Sequence, residues 1–140
     1  MPGPTTELYR KRFASGTYHG TWCIPVSDMS KIADGDIVTE FTPGFDGVIV
    51  KWWWVQGTVA STAAKGTTLN LEIGAVNVTG PNQATNSTLT LTTALCATLG
   101  AVVEATAIGG SSNFSTTSTI SVEAASTTAF VEGAGTIVIE

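Results

Sequence analysis

The sequence predicts an all-β protein: an antiparallel β-sandwich, jelly-roll-like in its connectivity, with an extended N-terminal arm. Three observations predict this fold. First, 24 threonines and 11 serines make up a quarter of the 140 residues, and these residue types are poor in helix interiors. Second, apolar residues recur at every second position in several segments, as in a strand with one buried face. Third, turns rich in glycine, proline and aspartate separate these segments.

The arm is predicted to cover residues 1–19 and the sandwich domain residues 20–140. The arm has no periodic apolar face of its own, so we expect it to become ordered on a neighbouring surface. It holds the basic run Arg10-Lys11-Arg12 and, interleaved with it, the aromatic residues Tyr9, Phe13 and Tyr18. Aromatic and arginine side chains often anchor protein interfaces. We therefore predict that the arm binds protein through these six side chains.

The predicted strands follow one another along the domain, with two positions where a single helical turn is an alternative, 28–33 and 92–99. Their ranges are 20–26, 36–42, 47–59, 68–78, 87–93, 100–108, 117–124, 128–132 and 135–140. In the clearest of them, Leu69, Leu71 and Ile73 alternate with polar residues. Threonine suits the outward positions of such a strand because a β-branched side chain packs well on a pleated surface. In the last strand Val138 breaks the alternation.

The segment 47–59 is different because both of its faces are largely apolar, and it contains Trp52-Trp53-Trp54. Consecutive strand residues point to opposite faces of a sheet, so the three rings cannot form one flat platform. We expect Trp52 and Trp54 to fill the core. Trp53 is expected at the outer sheet face or at a contact with another subunit. The alternative is a carbohydrate-binding module in which an exposed tryptophan stacks on a sugar.

Residues for catalysis or metal binding are few, and we predict no enzyme, no cofactor and no metal. His19 is the single histidine, and no Gly-x-Ser-x-Gly motif or glycine-rich phosphate loop is present. One histidine with the distant Cys23 and Cys96 does not make an ordinary zinc site. The cysteines are expected to be buried thiols, although a bridge between them stays open. Loop aspartates are expected to shape turns and not to bind Ca²⁺: Asp34, Asp36 and Asp46.

Charge and hydropathy exclude two classes of partner. The net charge of -5 and the sequence pI of about 4.7 have the wrong sign for a nucleic-acid-binding surface. No apolar run is long enough for a transmembrane helix. The first residues lack the basic start and apolar stretch of a signal peptide, so we expect synthesis and assembly in the cytoplasm.

Two regions carry a family resemblance: KWWWVQGT (51–58), AKGTTLNLEIG (64–74) and NVTG (77–80) in the first, ISVEA (120–124) and TAFVEGAGTI (128–137) in the second. They resemble small structural proteins of tailed bacteriophages. The size of the chain fits a capsid decoration, or cement, protein within that group. The resemblance covers residues 50–140 and leaves the arm out.

The resemblance implies a virion protein that is made in the host cytoplasm and binds the outside of the capsid. It implies contact with the major capsid protein and self-association as a homotrimer, and it carries no active-site residue. Two alternatives stay open. The first is a head fibre, tail or neck protein with the same fold, and the second is the carbohydrate-binding module.

Overall fold

Strands dominate the part of the chain that the computed structural model describes, residues 19–140. Among them lies a single turn of 3₁₀ helix at Met29–Lys31, where the Asp28 carboxylate accepts the Ser30 N–H at 2.9 Å. The strands are β1 (Trp22–Val26), β2 (Gly35–Phe41), β3 (Gly47–Val48), β4 (Trp52–Thr58), β5 (Gly66–Ile73), β6 (Val76–Asn77), β7 (Thr88–Thr92), β8 (Val102–Glu104), β9 (Asn113–Phe114), β10 (Ile120–Thr128) and β11 (Ala134–Ile139).

The strands form two main antiparallel sheets. The sheet that we call the tryptophan sheet has the order β1-β11-β4-β8. The threonine sheet has the order β2-β10-β5-β6, and β7 also pairs with β5. A small ribbon joins β3 to β9. The chain is therefore an all-β protein, as the composition and the period of two predict.

The core lies between the two sheets and is one continuous hydrophobic cluster. The threonine sheet contributes apolar residues of β5, β7 and β10, and the tryptophan sheet contributes those of β4 and β11. The largest of these side chains are less than 2% exposed: Trp52, Trp54, Leu69, Leu71, Leu89, Leu91, Ile120, Ile137 and Ile139. Alternating apolar residues of both sheets thus meet in a β-sandwich. Trp52 and Trp54 fill the core, as predicted.

Several predicted elements differ in extent. The predicted strand 47–59 is two strands, because residues 49–51 cross from the ribbon to the tryptophan sheet. The predicted strand 128–132 is wrong: β10 continues to Thr128 and residues 129–133 form a loop. This loop connects strands that lie in different sheets, and its buried residue Phe130 belongs to the hydrophobic core. The segment 92–99 contains turns and no helix.

One carboxylate holds two loops together at the end of the sandwich where β4 ends and β11 begins. Glu132 Oε1 accepts the backbone N–H groups of Ser61 and Thr62, each at 2.6 Å, and both hydroxyl groups also donate to this carboxylate. Hydrogen bonds to the ionised form, led by that from the Thr62 N–H, lower the pKa of Glu132 to about 2. Glu132 therefore acts as an anionic clamp between the two loops.

This clamp predicts a pH dependence of stability. The folded-state pKa of Glu132 is depressed, so its contribution is complete above the ordinary pKa of 4.5 and is lost as the pH falls toward about 2. We expect Glu132→Gln to lower the melting temperature at pH 7 and to flatten the acid limb of the stability curve over that interval. Thermal unfolding at a series of pH values measures both effects. Equal acid limbs in the two proteins would contradict the assignment.

Candidate interaction surface

The outer faces of the two sheets differ in chemistry. Strand alternation places mostly polar residues on the outside of the threonine sheet: Asp36, Thr68, Asn70, Glu72, Thr88, Thr90, Ser121 and Glu123. Ser121 is buried among them, and its hydroxyl donates to the Glu72 carboxylate at 3.3 Å. The other side chains are half-buried or exposed and can hydrogen-bond to water. The outside of the threonine sheet therefore has the ordinary composition of a solvated sheet face.

The outside of the tryptophan sheet is apolar. Pairing across β1, β11, β4 and β8 sets two rows of outward residues, Cys23–Val138–Trp53–Glu104 and Pro25–Thr136–Val55–Val102. Six of these eight positions carry apolar side chains or the cysteine. We call these six the tryptophan surface: Cys23, Pro25, Trp53, Val55, Val102 and Val138. Val138 in the central strand is only 8% exposed, whereas Val102 at the edge of the sheet is 58% exposed. A contiguous apolar face of this kind is typical of an interaction site.

Trp53 lies at the centre of the tryptophan surface. The Lys51 Nζ lies 4.8 Å from the centroid of its ring, a cation–π contact. The same Nζ is 3.7 Å from Glu104 Oε1, and both charged side chains are more than half exposed. An exposed ion pair contributes little to stability. Its effect here is to keep a cation over one face of the indole.

The two neighbouring tryptophans are fixed in the core through their indole N–H groups. Trp52 Nε1 donates to the buried Ser87 Oγ at 3.0 Å, and that hydroxyl donates to the Thr106 carbonyl. Trp54 Nε1 donates to Gln56 Oε1 at 2.6 Å. A buried indole N–H needs such a partner. These bonds fix the alternation of β4 and so hold Trp53 on the outside.

An aromatic cluster marks the end of the sandwich where the chain enters β1. The Trp22 ring lies 5.4 Å from Phe41, 6.1 Å from Phe45 and 5.6 Å from Phe114, between centroids. Phe45 is 49% exposed. Residues 19–21 lead directly into this end, so the arm leaves the domain beside an exposed aromatic side chain.

The opposite end presents a second group of apolar residues, which we call the loop surface: Val59, Leu95, Leu99 and Val131. They are between 36% and 69% exposed. Their loops are tied together by the Glu132 clamp and by a hydrogen bond from the Ala60 N–H to the Cys96 carbonyl at 3.0 Å. The loop surface is therefore a set of exposed apolar side chains on a fixed backbone.

Of the predicted interface residues, the structure describes Trp53 and places it at the outer sheet face. The others lie outside the described residues: Tyr9, Arg10, Lys11, Arg12, Phe13 and Tyr18. Sequence reasoning missed the remaining five residues of the tryptophan surface. The break in alternation at Val138 was a signal for it, because that side chain lies on the outer face beside Trp53.

The two cysteines differ in exposure, and two of the loop aspartates form hydrogen bonds to the backbone. Both cysteines are free; Cys23 is exposed, which corrects the expectation of a buried thiol, and Cys96 is buried. Desolvation raises the pKa of Cys96 to about 11. Asp34 and Asp46 each accept a backbone N–H, from Thr127 and Thr116.

Residues 19–140 hold no group of three or more His, Cys, Asp or Glu side chains suited to a metal ion. No helix in this range has the length and apolar character to cross a membrane. No family model matches the chain, and neither a curated protein nor a solved structure shows a significant match to it.

Proposed function

We propose that this protein is a structural virion protein that binds the outside of a phage capsid and stabilises the shell. The tryptophan surface is the observation that carries the proposal. A sandwich with one solvated sheet face and one apolar face is built to associate with other chain segments. The resemblance of residues 50–140 to tailed-phage structural proteins indicates that this association takes place in a phage virion.

The strand order supports a jelly-roll connectivity within this proposal. Leaving aside the two-residue strands, eight strands remain, and numbered one to eight along the chain they have the orders 1-8-3-6 and 2-7-4-5. Interleaved sheets of this kind follow from two Greek keys. Viral capsid domains and lectins both use the jelly roll. This fold-level analogy favours a virion component and keeps the carbohydrate-binding alternative in consideration.

The arm provides the contact with the major capsid protein. Its basic residues, Arg10, Lys11 and Arg12, suit an acidic shell surface, and Tyr9, Phe13 and Tyr18 supply anchors. A protein that binds only the assembled lattice adds its binding free energy to that state. Stabilisation of the shell then follows from mass action and needs no catalytic group.

We also propose self-association as a homotrimer, with the loop surface as the contact area between copies. Leu99 is 69% exposed and Val131 59% exposed, and their loops are already fixed by hydrogen bonds. A fixed backbone lowers the entropy lost on association. Native mass spectrometry of the purified protein tests the stoichiometry; a monomer at every concentration would exclude this part of the proposal.

Deleting residues 1–19 is expected to abolish binding to the capsid and to leave a folded β domain. Co-sedimentation with capsids that lack the protein measures binding, and far-ultraviolet circular dichroism checks the fold. Replacing Arg10, Lys11 and Arg12 with serine is the matched full-length variant, and we expect it to weaken binding most at low salt. Full binding by the truncated protein would remove the arm from the proposal.

The alternatives give different results. A head fibre, tail or neck protein would be labelled by antibody away from the capsid faces in electron micrographs. A carbohydrate-binding module would bind glycans on an array and lose that binding in Trp53→Ala.

A further inference from the structure

We infer that the tryptophan surface is the binding site for the arm of the same chain, with residues 9–13 lying extended across it. Tyr9 and Phe13 face the sheet in this arrangement, and Arg10 and Arg12 face away from it. The surface, and not the proposed function, is the basis for this inference.

The size of the surface favours a single chain segment over a second copy. Four strands spaced about 4.8 Å apart, each contributing about five residues, offer roughly 300 Å². A stable interface between two proteins buries about 800 Å² on each side. An extended segment of five residues is about 17 Å long and matches the length of the outward rows.

The position of the arm makes this segment available. The arm joins the domain at β1, an edge strand of the tryptophan sheet. The eight residues 14–21 separate the segment 9–13 from β1, and eight residues span up to about 28 Å, which is enough to reach the outer face of the sheet from its edge. A short flexible tether of this kind gives the attached segment an effective concentration in the millimolar range. A free second copy competes poorly with such a segment.

The chemistry of the segment matches the surface. In an extended chain Tyr9, Lys11 and Phe13 share one side. Aromatic side chains suit the apolar rows around Trp53 and Val138. Lys11, between them, can reach Glu104, which lies opposite Trp53 at the side of the surface.

The outward side then carries Arg10 and Arg12. These guanidinium groups are free to meet an acidic shell surface, a consequence that rests on the proposed function. Ordering the segment on the domain before docking lowers the entropy cost of that docking. The arm thereby has two sides with separate roles: one holds it to the domain and the other is presented to the partner.

Nuclear magnetic resonance on the isolated full-length protein directly tests whether residues 9–13 bind to the tryptophan surface. We expect nuclear Overhauser effects from the Trp53 indole and the Val138 methyl groups to the ring protons of Tyr9 or Phe13. A sample that mixes isotope-labelled and unlabelled chains separates contacts within a chain from contacts between chains. Contacts only between chains, or random-coil shifts for residues 9–13, would overturn the inference.

The alkylation rate of Cys23 gives a second readout, because this thiol lies in the surface row with Trp53, while Cys96 is buried and protonated at pH 7. We expect Phe13→Ser in the full-length chain to speed alkylation about tenfold by removing one aromatic anchor. Arg12→Ser is the matched control and should leave the rate within about twofold. Equal alkylation rates in the wild type and in Phe13→Ser would contradict the binding of the arm to the tryptophan surface. Neither measurement includes a capsid, so failure here is distinct from failure of capsid binding.

Discussion

Replacing Gly135 with alanine is expected to destabilise the domain by about 3 kcal/mol, at the upper end of the usual cost of overpacking. Gly135 lies in the central strand β11, and an added Cβ would overlap the six-membered ring of Trp54. That ring is fully buried and its N–H is bonded to Gln56. The ring cannot move aside without losing this hydrogen bond, so the strand must shift.

Urea unfolding followed by tryptophan fluorescence measures this loss. Gly57→Ala is the matched control on the neighbouring strand β4, where an added Cβ would meet its nearest atom, the Ala134 carbonyl oxygen, at 3.5 Å. We expect Gly57→Ala to leave stability unchanged or to raise it by about 0.5 kcal/mol through the unfolded chain. If Gly135→Ala unfolds at the wild-type urea concentration, the close approach of β11 to Trp54 is not maintained in solution.

Gln56→Leu is expected to cost about 3 kcal/mol, because it leaves polar groups in the core without partners. Gln56 is 1% exposed. Its Oε1 accepts the Trp54 N–H, and its Nε2 donates to the Thr58 carbonyl at 2.5 Å and lies 3.2 Å from Met29 Sδ. Leucine keeps much of the volume and removes all three contacts.

A double-mutant cycle with Trp54→Phe isolates the indole bond. Phenylalanine has no N–H, so the loss of Gln56 should cost about 1–2 kcal/mol less in that background. Chemical unfolding of the four proteins gives the coupling energy. Additive effects would show that the destabilisation comes from altered shape and not from the hydrogen bond.

The fold class could be predicted because its signals are local. The alternation at Leu69 and Leu71, and the turns between segments, need no knowledge of distant residues. The pairing of strands could not be predicted in this way. Nothing near Ile137 in the sequence shows that β11 lies between β1 and β4, because Ile137 pairs with Ile24, 113 residues earlier, and with Trp54, 83 residues earlier.

The candidate surface could likewise be predicted only where its signal is local. Trp53 could be placed on the outer face from the alternation of β4 alone. Cys23 and Val102 join it only through strand pairing, so neither carries a signal of its own. The Glu132 clamp was also beyond prediction, since its partners Ser61 and Thr62 lie 71 and 70 residues away.

The strand order has a consequence for synthesis on the ribosome. One central strand of each sheet, β11 and β10, follows the other strands of the sandwich in the sequence. Until residue 139 has left the exit tunnel, β1 and β4 have no strand between them, and the tryptophan-bearing edge of β4 stays open. Unpaired edges of this kind are prone to aggregation. Closure of each sheet therefore comes late in the synthesis of this domain, first with β10 and then with β11.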